Sequence, residues 1–178
     1  MTRLIGLAAL MACIITPAPT ALALAPEGEP QQIVWADLMP EGEKERLAEL
    51  YLEMRRNLGP LSGFDGEDPA APQVGTFNTV EDLNGAYIRM PGFVLPFDYT
   101  PDGEITEFLL VPHFGACIHT PPPPPNQVVF VQTATPVKVK AMWDPVWVEG
   151  VLSTEKNLNG LGDAAYTLEL TSVEPYSN

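Results

Sequence analysis

The chain is short of the residues from which most recognisable chemistry is built. Its 178 residues include two histidines and two cysteines, and nine Lys and Arg stand against 23 Asp and Glu, a formal net charge of −14. Few and scattered bases argue against nucleic acid as a partner, because a phosphate backbone is held by clustered Lys and Arg. One cysteine, Cys13, falls in an N-terminal leader, so the mature chain would carry Cys117 alone and could form no internal disulfide. Its stability must then come from the core. Beyond the leader no stretch approaches the roughly 20 apolar residues that a spanning helix requires. A Gly-x-Ser-x-Gly elbow, a His-Glu-x-x-His helix and a phosphate-cradling glycine loop are also missing, which makes an enzyme the less favoured class.

The leader itself reads as a secretory signal peptide. Arg3, the apolar run 4–15 and the small residues of 21–25 fit that pattern, with cleavage expected after Ala23; cutting after Ala25 would leave Pro26 first, which signal peptidases reject. Leu10-Met11-Ala12-Cys13 offers an alternative, a lipoprotein box with Cys13 acylated. Either route predicts an exported, periplasmic protein. Loss of residues 1–23 removes one base and no acid and takes the charge from −14 to −15, which suits a solvated surface and attraction of cations. About 155 residues then remain, enough for one domain with a real core.

Along that mature chain, residues 24–32 are rich in Pro and Glu and read as a flexible spacer. Residues 33–39 are apolar enough to dock. Leu47, Leu50, Tyr51 and Met54 recur at i, i+3, i+4 and i+7, with Glu41 and Glu43 opening the segment and Arg55 and Arg56 closing it, which predicts one amphipathic helix over 41–57. Its apolar stripe must cover something. A Gly, Pro and Asp-rich loop follows over 61–76.

From residue 83 onward, strands dominate. Residues 86–90 and 92–96 form a long strand broken at Pro91-Gly92, where a bulge or sharp bend is expected. Thr100-Pro101-Asp102-Gly103 is a turn. Further strands are expected over 105–111, 127–133, 146–152 and 166–170, with a short alternating run at 137–140 and a Gly and Asn turn at 157–163. Roughly five strands in a meander, the first long and bent, predict a mainly β fold: a small five-stranded OB-like barrel with one N-terminal amphipathic helix, a sandwich being the alternative. The domain plan is residues 1–23 signal peptide, 24–32 spacer, 33–75 N-terminal arm with helix and loop, and 76–178 barrel.

Candidate chemistry is confined to one segment. Both histidines, His113 and His119, lie within seven positions of each other, and Cys117 sits between them. In extended backbone Cys117 and His119 would share a face, and His113 has the same parity unless Gly115 breaks the register. Two or three N and S donors with a position left open suit a transfer-type zinc or copper site, with Glu107 on the preceding strand a further candidate ligand. Two plainer readings compete: a buried Cys with a hydrogen-bonded His, and a Cys117 thiolate activated by a histidine. The five prolines Pro121, Pro122, Pro123, Pro124 and Pro125 should adopt polyproline II conformation. They serve either as a partner-binding strip with Asn126, for an envelope or transporter protein, or as a rigid loop that holds Cys117 and His119 against the barrel, with Asn126 and Gln127 pinning its far end.

Several runs together carry a resemblance: residues 89–96, residues 106–112, Phe114-Gly115-Ala116-Cys117-Ile118-His119-Thr120 with the prolines, Asn126 and Gln127, and residues 146–150 and 165–166. The chain closely resembles a bacterial exported-protein family, domain of unknown function 3299, over nearly everything from Ile33 on. The resemblance implies a periplasmic or lipid-anchored OB-like barrel, sometimes encoded near metal and especially zinc transport systems, without an assigned activity. His113 stands where that family usually has tyrosine, which leaves Cys117 and His119 as the centre of a zinc site.

Overall fold

A computed structural model describes residues 26, 28–58, 72–98, 102–116, 122–138 and 144–177. The leader with Cys13 lies outside them. The sheet is organised around strand β2 (Tyr87–Pro96), whose side chains alternate between two apolar clusters: Ile88, Met90 and Val94 face one, Phe93 and Leu95 the other. As far as Gly92, β2 pairs antiparallel with β5 (Val146–Ser153), and from Phe93 onward it pairs with β3 (Glu104–Val111). The changeover falls at Pro91-Gly92, where the bend was expected. Gly92 fits there because a Cβ would lie 2.6 Å from Leu110 Cγ, so any other residue would collide with the Leu110 side chain.

Strand β3 pairs antiparallel with β4 (Val129–Lys138), and β4 runs parallel to β6 (Tyr166–Pro175), from Val129 opposite Tyr166 to Gln132 opposite Glu169. Antiparallel pairing of β6 with β5, and of β5 with β2, closes a five-stranded mixed barrel in the order β2-β3-β4-β6-β5. This is the OB-like architecture, but its strands do not run as a plain meander. A parallel pair needs a crossover between its members, and β5 supplies it. Two strands also outgrow the sequence expectation: the alternating run at 137–138 continues β4, and β6 reaches Pro175 by pairing with β5 beyond the end of β4.

Most of the buried apolar residues fill the barrel, among them Ile88, Met90, Phe108, Leu110, Val129, Val131, Val148, Leu152, Tyr166 and Leu168. A second, smaller cluster forms on the other face of β2, β3 and β4 from Leu95, Leu109, Val111, Val128 and Phe130, capped by Ala116 and Ala164. Being buried on both faces explains why β3 ends in the unbroken apolar run 108–111.

The N-terminal arm is part of this core and not a tail. Strand β1 (Gln31–Gln32) lies parallel to β2 at Ile88 and Arg89, on the edge that β3 does not reach. Ile33 and Leu38 are buried in the main cluster, and Trp35 Nε1 donates to Pro91 O at 2.8 Å. Tyr166, fully buried, ties the arm down: its hydroxyl donates to Leu38 O at 2.8 Å and accepts from the Val80 N–H at 2.7 Å. Burial pushes the Tyr166 phenol above its ordinary pKa, opposed by the Val80 hydrogen bond and aided by the negative charge of Glu81.

Helix α1 (Glu43–Leu58) has acids in its first turn and Arg55 and Arg56 in its last, each sign favourable to the helix dipole. Its stripe covers less than its pattern requires. Leu47 is buried and Leu50 and Met54 are half-buried, but Tyr51 is 41% and Leu52 52% exposed. Only the first two turns are well seated.

Two stability predictions follow from these contacts. A Cβ at Gly150 would lie 2.3 Å from Glu169 O, where β5 and β6 shift register, whereas one at Gly160 meets nothing within 4 Å. Denaturant unfolding should therefore show Gly150→Ala costing roughly 1–3 kcal/mol and Gly160→Ala within about 0.5 kcal/mol of wild type. Tyr166→Phe should cost about 1–3 kcal/mol, because a buried donor and acceptor lose their partner. A phenol raised in the folded state contributes stability that is intact below its unfolded pKa of about 10 and is lost as pH climbs through the folded value. Alkaline unfolding should accordingly be steeper for wild type than for Tyr166→Phe.

Candidate functional site

After Val111 the chain leaves β3 through a turn that seats it on the second cluster. His113 and Phe114 are exposed, Gly115 takes a left-handed φ of +80°, and Ala116 returns to the interior with its N–H 3.5 Å from His113 O. The Phe114 ring meets Phe93 edge-on at 6.2 Å. The left-handed turn breaks strand register between His113 and Ala116, so parity no longer predicts which way His113 points. Cys117, His119 and Pro121 lie outside the described residues. Glu107 is exposed on β3, and among the described residues no three His, Cys, Asp or Glu side chains gather in a metal-holding group.

The chain is described again from Pro122, and there it is held by the protein itself. Pro123 and Pro125 are buried, and Pro122 and Pro124 half-buried. A proline run has carbonyls but no N–H groups, so buried carbonyls must find donors elsewhere. Pro123 O accepts from Gln73 Nε2 at 2.7 Å, and Pro125 O accepts from the Ala165 N–H at 2.8 Å. A short 3-10 turn, Pro125–Gln127, follows, with Gln127 N–H donating to Pro124 O at 2.7 Å. Pro124 has φ −51° and ψ 147°, the extended geometry expected of the run.

Asn126 and Gln127 make the backbone hydrogen bonds expected of them. Gln127 Nε2 donates to Trp35 O at 2.8 Å, and Asn126 Nδ2 approaches Asn78 O at 3.4 Å. Asn126 is fully buried, and its Oδ1 is the buried side-chain polar atom without a partner among the described residues.

The residues that hold this run were not signalled by the sequence. Gln73 uses both hydrogens of its amide and its oxygen: Nε2 also donates to Asp163 O at 2.9 Å, and Oε1 accepts from the Asp163 N–H at 2.7 Å. Gly75 packs directly on Pro124, leaving no space for a side chain; a Cβ would lie 2.7 Å from the Pro124 Cβ. The same stretch is fastened to α1. Glu43, only 2% exposed, accepts from Thr76 Oγ1 and, at 3.0 Å, from Asn78 Nδ2, with Arg46 Nε 3.6 Å away. Apart from Arg46, on the same helix turn, none of these partners is close in sequence, which is why no local pattern reveals them.

A second polar cluster sits apart on the sheet surface. Arg89 hydrogen-bonds Glu149, reaches Glu174 at 3.3 Å and lies 4.9 Å above the Trp147 ring, which stacks on Tyr176. The Glu149 hydrogen bond, ahead of weaker help from Glu174, raises the already high Arg89 pKa. This cluster braces β2, β5 and β6.

Glu43 gives a direct test of the fastening to α1. Glu43→Ala strands two donors that now bond to a charged group and should cost about 1.5–3 kcal/mol. Glu43→Gln keeps one acceptor of the same reach and should lose less, measured by denaturant midpoint at constant slope.

The model for the family described as "Protein of unknown function (DUF3299)" matches residues 35–175. A DUF3299 family protein from Pseudomonas aeruginosa PAO1, known as a crystal structure, is 33% identical and superposes with a TM-score of 0.62, covering 85% of this chain and 99% of that one. No protein of curated function matches. The chain belongs to the DUF3299 family.

Proposed function

We propose that this DUF3299 protein is an exported, periplasmic metal-binding accessory that holds zinc through Cys117 and His119, with His113 available as a further donor, and serves metal uptake or delivery. The observation that carries this reading is the concentration of both histidines and the lone mature cysteine within residues 113–119 of a chain that has no others beyond its leader. Thiolate and imidazole fit zinc, and a ligand set of two or three protein donors leaves coordination open for exchange, as a carrier requires. Anchored ends add to the case. Ala116 is buried on one side, and the Pro123 and Pro125 carbonyls are hydrogen-bonded on the other, so less freedom is lost when the intervening donors engage an ion. The acidic surface favours cations near the protein. Processing at Ala23, or acylation at Cys13, would place it in the envelope.

A second reading is favoured by α1, whose outer turns leave Tyr51 and Leu52 exposed. In it the helix or the proline run docks to an envelope or transporter protein, and Cys117 and His119 are structural. No helix among the described residues is long and apolar enough to cross a membrane.

Metal analysis separates the two. Protein purified without a histidine tag should retain zinc in stoichiometric amount, and Cys117→Ser and His119→Ala should each lose most of it. Equal, substoichiometric zinc in all three proteins contradicts the proposal.

A further inference from the structure

Helix α1 carries two stripes of the same spacing, and only one of them is used inside the chain. Glu43, Leu47, Leu50 and Met54, at i, i+4, i+7 and i+11, form the side seated on the protein: Glu43 and Leu47 are buried, Leu50 and Met54 half-buried. Glu45, Glu49, Leu52 and Arg56 repeat that spacing on the opposite side, with Ala48 and Arg55 beside them, and all six are exposed. We propose that this outer face of α1 is a self-association surface, which pairs antiparallel with the same face of a second copy of the chain about a two-fold axis at Leu52. The proposal does not rest on the zinc reading.

Charge order identifies the occupant. The outer face has its acids, Glu45 and Glu49, toward the N-terminal end and its bases, Arg55 and Arg56, toward the C-terminal end. Nothing in the chain neutralises them. Among the described residues the ion pairs are Glu43–Arg46, Arg89 with Glu149 and Glu174, and Glu104–Lys138, and none involves these four. Spacing within the helix works against pairing, because Glu45, Glu49 and Glu53 follow one another at i, i+4, and the positions four and three before Arg55 are Tyr51 and Leu52. An antiparallel copy supplies the missing partners. With the axis at Leu52, that residue meets its own copy, and Glu49 of each chain comes opposite Arg56 of the other, so two reciprocal ion pairs flank a leucine contact. Ala48 is small enough to let the helices approach beside Arg55. A parallel pair would instead set acid against acid and base against base. The helix dipole favours acids in the first turn and bases in the last, yet Glu49 lies beyond the first turn and Leu52 gains nothing from it. One face of a 16-residue helix is smaller than the interfaces of permanent dimers, which bury about 2,000 Å² or more, so the pair is weak and reversible.

Sedimentation equilibrium of the protein expressed with its leader tests this from about 10 μM to about 1 mM, with chelator and a thiol reductant present so that neither metal nor cysteine can bridge copies. The parent should associate reversibly to a dimer with a dissociation constant on the order of 100 μM, weakening several-fold at high salt. Leu52→Lys removes the central contact. Arg55→Glu with Arg56→Glu makes the face wholly acidic, and Glu45→Lys with Glu49→Lys makes it wholly basic. Each of the three should associate at least roughly tenfold more weakly alone, and the acidic and basic variants mixed in equal amounts should recover a one-to-one complex, because acid then meets base along the whole stripe. Leu158→Lys, at another exposed leucine on the 157–163 turn, should leave association unchanged. Tm and far-UV circular dichroism check that each variant is folded. Should a charge-reversed variant lose its helix, Leu52→Lys decides, as a single exposed substitution to a good helix former. A parent that stays monomeric throughout overturns the proposal and leaves the face to a different protein. Association that persists in Leu52→Lys, or folded acidic and basic variants that remain monomeric when mixed, overturns it equally.

Discussion

Buried proline carbonyls set the terms for the candidate site. Prolines supply acceptors and no donors, so the burial of Pro123 and Pro125 obliges other groups to bring N–H to their carbonyls. Gln73 comes from the stretch before the barrel, Ala165 from the start of β6, and Gln127 from the turn that leads into β4. The Gln127 bond is the run's own turn, and the other two bring segments distant in sequence to one place. Tyr166 makes a similar demand a short way along β6, drawing Leu38 and Val80 onto its hydroxyl. Between them these polar ties fasten the residues before β2, whose Ile33, Leu38 and Leu83 belong to the main apolar cluster, to the barrel.

How much of this could be read in advance depended on whether the determinants were local. The place where β2 changes partner was legible because Pro91 and Gly92 mark it, although the strand runs through them without a break or register shift, and the alternation of Ile88, Met90 and Val94 with Phe93 and Leu95 marks the two faces directly. Strand length was less legible. The far half of β6 alternates weakly and exists as strand because β5 pairs with it, and the parallel β4–β6 pair is a fact of topology that no window of sequence contains. The stripe of α1 predicted a helix correctly but overstated its burial, since periodicity reports a face and not what meets it. Ile33 and Leu38 looked able to dock; nothing local showed that they complete the main core.

The candidate segment divides in the same way. Cys117, His119 and the prolines stand out by composition alone, and the hydrogen-bonding roles of Asn126 and Gln127 followed from residue type. Gln73, Gly75 and Glu43 carried no comparable signal, because their importance arises from contacts across 33 to 90 positions.

Zinc bound jointly by the Cys117 thiolate and the His119 imidazole is the proposed chemistry, and X-ray absorption at the zinc edge of the tag-free, zinc-loaded protein is its decisive measurement. Joint binding gives a shell with one sulfur at about 2.3 Å and nitrogen at about 2.0 Å, the sulfur vanishing in Cys117→Ser; a shell of light atoms only, identical in both proteins, rules it out.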